Sequence, residues 1–168
     1  GEDVSAIPMT GTPRMMRPAV ASPFDEESGE VSPDGEWIAY VSDDAGNSQI
    51  YIQPFLKPGG RTLISAGSAR EPVWLSNNEL AYITGSGGDS VTVARLGFGS
   101  TITVTRRALF SAAKYSRGNA SVRSFDISRE GTHFIFVMPP AADASAEPVI
   151  VLNWVEEVKR LMAAAGIK

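Results

Sequence analysis

Apolar and polar positions alternate with a period of two through most of this chain, the pattern of strands that present opposite faces. The clearest runs are Glu36–Ser42 (EWIAYVS), Gln49–Gln53 (QIYIQ), Glu79–Ile83 (ELAYI), Ser90–Ala94 (SVTVA), Thr101–Val104 (TITV), His133–Val137 (HFIFV) and Pro148–Leu152 (PVIVL). They are rich in β-branched and aromatic residues, and turn formers separate them: Pro33-Asp34-Gly35, Gly59-Gly60, Asn77-Asn78, Gly85 to Gly88, and Arg129-Glu130-Gly131. Short strands divided by such turns predict an all-β fold. Only the end changes period. Val155, Val158, Leu161, Met162 and Ala165 make a helical stripe, so 155–166 is read as a short C-terminal α-helix. Glu156 and Glu157 in its first turn, followed by Lys159 and Arg160, suit the helix dipole.

The runs are also copies of one another. Val31–Val41 (VSPDGEWIAYV), Leu75–Ile83 (LSNNELAYI) and Ile127–Val137 (ISREGTHFIFV) each read apolar-Ser, a tight turn, then a strand with an aromatic at the same place. The serines Ser32, Ser76 and Ser128 recur at steps of 44 and 52 residues. Val4–Met9 matches Ile50–Phe55, with Pro8 and Pro54 in register. A period of about 40–50 residues carrying four short strands predicts propeller blades, which bury their faces only by stacking on neighbours. The expected fold is a β-propeller of about three four-stranded blades. Two strands of a leading partial blade occupy 1–20, blades follow at 29–67, 72–110 and 122–154, and the helix closes the chain. In the first turn Pro33 sets φ, Asp34 favours the bend and Gly35 accepts positive φ. Asn77-Asn78 is expected to form a two-residue type I′ hairpin, with both residues at positive φ.

Composition narrows the chemistry. The 168 residues include no cysteine and one histidine, which removes disulfides, thiol nucleophiles and His-rich metal centres from consideration. Net charge is −4, and the arginines at Arg14, Arg17, Arg106 and Arg107 are too sparse for a nucleic-acid footprint. No run of about 18 apolar residues is present to span a membrane. There is no Gly-x-Ser-x-Gly, and His133 lies on an alternating strand, where a structural histidine is the better reading than a catalytic one. Asp25, Glu26, Glu27, Asp43 and Asp44 cluster in loops and are read as solvated charge rather than as paired catalytic carboxylates. Asp43, Asp44, Asn47 and Ser48 lack the spacing of a calcium loop. Gly85 to Gly88 joins two strands, so it is read as a hairpin rather than an anion cradle. Trp37, Trp74 and Trp154 are assigned to packing. No catalytic residue, metal or cofactor is indicated.

With these residues on view, the chain resembles the TolB-like six-bladed β-propeller family. The carriers are the apolar-Ser-Pro-Asp-Gly turn at Val31 to Gly35, the strand Ile38 to Tyr40 and the strand Ile50 to Ile52. More narrowly it resembles the C-terminal half of bacterial propellers fused behind Ser/Thr protein kinases, through Asp3 to Met9 and Ile150 to Arg160. It departs at Ser5 and Ala6, in the second turn, which lacks Pro-Asp-Gly, and in the third, which has Arg-Glu-Gly. Three blades fill about half of a six-bladed ring. Two copies arranged as 3 + 3 would close it, with a two-fold axis between them, the expectation favoured here; the alternative is that the chain is a piece of a longer protein. The resemblance implies a non-catalytic scaffold that binds a protein or peptide, in an extracytoplasmic bacterial setting. The alternatives are a hydrolase, lyase or small-molecule site assembled in the channel of the dimer, and the sensor half of a kinase-associated receptor. The residues singled out for binding are Lys114, Tyr115 and Arg117, in the long 111–120 loop.

Overall fold

The structure, a computed structural model, describes residues 1–85, 90–115, 123–128 and 131–137. Every regular element among them is a strand. β1 (Val4–Ala6) and β2 (Arg17–Val20) form an antiparallel pair. β3 (Glu26–Val31), β4 (Trp37–Ser42), β5 (Gln49–Pro54) and β6 (Thr62–Leu63) form a four-stranded antiparallel sheet in chain order. β7 (Ala69–Ser76), β8 (Glu79–Thr84), β9 (Ser90–Gly97) and β10 (Thr103–Ser111) form a second such sheet. β11 (Phe125–Ile127) and β12 (Phe134–Phe136) form another antiparallel pair. The expected helix at 155–166 and the strand through Trp154 lie outside the described residues.

Three apolar layers separate these four sheets. The first holds Ala19 and Val20 of β2 against Ile38, Tyr40 and Tyr51. The second joins Ala39, Val41, Ile50 and Ile52 to Trp74, Leu80 and Tyr82. The third joins Val73, Ala81, Ile83 and Val91 to Phe125, with Phe134 and Phe136 packed alongside. Neighbours along one strand therefore enter different layers: Tyr40 faces back toward β2 while Ala39 faces forward, and Tyr82 and Ala81 repeat the division. This explains why β4 is buried along nearly its whole length, with Ala39 of β4 and Ile50 and Ile52 of β5 fully enclosed. Each such aliphatic side chain contributes about 1.5–3 kcal/mol by leaving water. The first strands of successive sheets are in contact, β3 with β7 and β7 with β11, and β1 packs on β3. Gly29 permits that last approach, because a Cβ there would stand 2.5 Å from Val4 Cγ1.

The copies of the sequence repeat become copies of structure. Ser32 N–H donates to the Trp37 carbonyl and Gly35 N–H to the Ser32 carbonyl. Ser128 N–H donates to the His133 carbonyl and Gly131 N–H to the Ser128 carbonyl. Gly35 (φ 74°) and Gly131 (φ 67°) both use the left-handed region at the same point of the turn. The first strands share a bulge as well: Ser28 (φ 55°) and Glu71 (φ 57°) sit where the pairing with β4 and β8 slips.

The Asn77-Asn78 turn departs from its expected type, since neither residue has positive φ. A second slip between Trp74 and Ser76 changes the entry of the strand, and Ser76 Oγ fastens the turn to the side chain of Asn78 at 2.9 Å. The bulge supplies twist that a primed turn would otherwise provide.

Candidate functional site

The loop after β10 begins with a tight turn, in which Tyr115 N–H donates to the Ala112 carbonyl at 3.0 Å. Tyr115 is half-buried. Its ring stacks on Phe136 at 4.2 Å between centroids and meets Phe110 edge-on at 6.4 Å. The Lys114 ammonium lies 5.4 Å from the same ring centre. A shallow cavity of about 450 Å³ is bounded by Phe110, Ser111, Ala113, Lys114 and Tyr115. Lys114 and Tyr115 are thus brought together at a cavity wall, while Arg117 lies outside the described residues. One face of the Tyr115 ring belongs to the packing of β10 on β12, so only the remainder is presented outward.

The acidic cluster is less solvated than its sequence suggests. Glu26 opens β3 and is almost fully buried. Its Oε1 accepts hydrogen bonds from Ser22 Oγ at 2.5 Å and Ser42 Oγ at 3.3 Å, while Oε2 is buried without a partner among the described residues. Reading Glu26 as loop charge is corrected on this point: the strand begins three residues earlier than the expected 29 and draws the carboxylate under Ser42. Asp25 accepts from Glu2 N–H, Asp43 accepts from Asp25 N–H, and Asp44 pairs with Arg61. The first two bonds tie the N-terminal segment to the β2–β3 connection and that connection to the one between β4 and β5, and the third ties the β4–β5 connection to the segment before β6. No group of three or more His, Asp or Glu suited to a metal occurs among the described residues. His133 is exposed, with its ring Nδ1 2.8 Å from Thr132 Oγ1. Gly85 (φ 86°) donates its N–H to the Ser68 carbonyl.

A second cavity was not foreseen. It measures about 330 Å³ and lies beside the β6–β7 connection, lined by Ala66, Gly67, Ser68, Tyr82, Thr84, Gly85, Thr92 and Arg106. Tyr82 is completely buried, and its hydroxyl has no hydrogen-bond partner among the described residues. Burial pushes its phenol above the usual range, and the Arg106 guanidinium pulls it partly back. Arg106 Nε donates to the Ile64 carbonyl at 2.6 Å, and among the described residues it has no carboxylate partner. The sequence shows Tyr82 as a strand aromatic and Arg106 as one of two adjacent arginines. Their meeting depends on strand register, which the repeat carries when β9 is aligned with β5.

No protein-family model matches the chain, and no curated protein matches it either. No helix among the described residues is long and apolar enough to cross a membrane.

Proposed function

We propose that the chain is half of a TolB-like six-bladed β-propeller, completed by a second copy of itself, and that it works as a non-catalytic scaffold for a protein or peptide. The observation that carries this reading is the contact of first strand with first strand, β3 with β7 and β7 with β11, between antiparallel sheets, two of them four-stranded meanders. Radial stacking of such sheets about an axis produces that relation. The hairpin between β1 and β2 supports association, since Ile7, Met9, Met15 and Met16 are all exposed there, with Ile135 and Val137 exposed on β12 and just after it. Exposed apolar residues concentrated at the two ends of a stack mark surfaces that a partner covers. In this reading Lys114 and Tyr115 present a cation and an aromatic face, and Arg117, two residues on in the sequence, adds a second cation to the candidate set, which suits an acidic or aromatic peptide.

The test is binding of the full chain to an array of peptides of varied charge and aromatic content. Selective capture of acidic-aromatic peptides, lost in Lys114→Ala and Arg117→Ala, is expected. A silent array, or capture that ignores both substitutions, would overturn the reading.

A further inference from the structure

The first and last sheets are incomplete in opposite ways. The turn fastened by Ser128 joins β11 to β12 as the turn fastened by Ser32 joins β3 to β4, so β11 and β12 hold the first and second positions of a sheet. Trp37 N–H and His133 N–H, each bonded to its serine, fix the alignment of β4 with β12. Val4–Met9 aligns with Ile50–Phe55, and β2 pairs with β1 as β6 pairs with β5, so β1 and β2 hold the third and fourth positions. Among the described residues β12 is paired only with β11, and β1 only with β2. An unpaired strand edge is a template for another strand.

Burial shows the same two deficits. In the first sheet Ala39 and Val41 stand opposite Ile52 and Ile50, and all four are buried. By the alignment their counterparts on and after β12 are Ile135 and Val137, which are 58% and 63% exposed. The counterparts of Ile52 and Ile50 on β1 are Ala6 and Val4, which are half-buried. Ala6 and Val4 pack on the layer of Ile38 and Tyr40, as Ile52 and Ile50 pack on the layer of Leu80 and Tyr82. That first layer has no side chains in the places of Ala39 and Val41, and Ile135 and Val137 are the residues that have the places without the layer. The sizes match as well. Ala39 opposite Ile52 becomes Ile135 opposite Ala6, a small and a large apolar residue exchanged. Phe136 falls opposite Ser5, an aromatic facing a small hydroxyl residue, as Tyr82 faces Thr92. The departures from the repeat at Ser5 and Ala6 are those that an aromatic and a large aliphatic partner require.

We propose that β1 pairs antiparallel with β12 of a second copy, so that β11 and β12 of one chain and β1 and β2 of the other make a single four-stranded sheet. The inference rests on the two-copy reading and specifies its joint: Val4 opposite Val137, Ala6 opposite Ile135 and Ile7 opposite Phe134. Formed twice about a two-fold axis, the joint leaves no sheet of either copy short of strands. The run 148–152, expected from the sequence as a strand of the third sheet, is the rival occupant of the β12 edge. The exchanged sizes, and the pairing of β1 with β2 in the third and fourth positions, favour β1.

The chain has no cysteine, so engineered ones report a single contact. Full-length Ala6→Cys and Ile135→Cys chains are mixed at a concentration where sedimentation shows a dimer and are oxidised with diamide. Residues directly opposite in an antiparallel pair have Cα atoms about 4.5–5.5 Å apart, within disulfide reach. The mixed disulfide should form at least about tenfold faster than between Ala6→Cys and Thr103→Cys, a residue exposed on β10 away from the joint. Val4→Cys with Val137→Cys serves if a chain of the first pair does not fold. Ala6→Ile and Ile135→Ala should each weaken dimerisation about tenfold, and the two combined in one chain should restore it, because they recreate the pair Ala39–Ile52. A dimer that forms neither mixed disulfide, as when 148–152 holds the β12 edge, would overturn the joint and leave the two-copy reading standing. So would a double variant as weak as the single ones. A mass of 17.9 kDa at every concentration would overturn both.

Discussion

Glu71 holds Ser124 from the neighbouring sheet: one carboxylate oxygen accepts both the backbone N–H and the Oγ–H of Ser124, each at 2.6 Å. Both residues are buried, and Arg70 Nε donates to the other oxygen at 3.2 Å. The positive φ of Glu71 turns its side chain out of the pairing pattern at the bulge, at a conformational cost of about 1–3 kcal/mol that the two bonds offset. Glu71→Ala removes both acceptors and should destabilise the chain by about 2–4 kcal/mol in urea unfolding. A loss below about 0.5 kcal/mol would show that water replaces the carboxylate without penalty.

Ser32 does for its turn what Ser128 does for the third. Ser32 Oγ accepts the Trp37 N–H at 2.9 Å, and Ser128 Oγ accepts the His133 N–H at 3.1 Å. Ser32→Ala and Ser128→Ala should each cost about 1 kcal/mol. Chemical denaturation of the single and double variants checks this, and near-additive losses are expected because the turns belong to different sheets.

Asp34 links the first turn to pH. The Ser32 hydroxyl, at 2.6 Å, and then the Glu36 N–H, at 3.0 Å, hold its carboxyl below the ordinary value. A depressed folded-state pKa means that the contribution is present above the unfolded value, near 3.8, and is lost as pH falls through the folded value. Asp34→Asn should lower Tm at pH 7 and narrow its difference from the parent chain below pH 3. A difference that stays constant with pH would separate the turn from the titration.

Tyr40 and Tyr82 act at the other end of the scale. Burial raises both phenols above 10.0, and Arg61 and Arg106 respectively draw them partly back. Between the ordinary and raised values the unfolded chain releases protons that the folded chain keeps, so stability falls as pH rises through this window. Tyr82→Phe deletes an unpartnered hydroxyl and should leave neutral stability unchanged or slightly higher while flattening the alkaline decline. Thermal melts from pH 8 to 11 test it, and a Tm loss at pH 7 above that of an ordinary surface change would mean the hydroxyl has a partner.

Much of the fold was legible because the repeat is written in local chemistry. The apolar-Ser turn, the Gly35 position and the aromatic of β4 and β8 follow from residues a few places apart. The edges were less legible. Glu26 and Ala69 join strands ahead of the expected starts because partners across the sheet, Ser42 and Thr84, extend the pairing. The bulges at Ser28 and Glu71 use residues with no special preference for positive φ and are imposed by packing between sheets. Lys114 and Tyr115 were visible as a loop feature, but the stacking of Tyr115 on Phe136 depends on a contact between sheets. The Tyr82–Arg106 cavity was hidden for a different reason. Its walls come from β8, β9, β10 and the β6–β7 connection, which only strand register brings together.

In the proposed function a second copy of the chain completes a propeller ring. Sedimentation equilibrium across a wide concentration range measures this directly. The expected result is a species of twice 17.9 kDa that dissociates only on dilution or when Met15 and Met16 are replaced by Glu. A mass of 17.9 kDa at every concentration would contradict it.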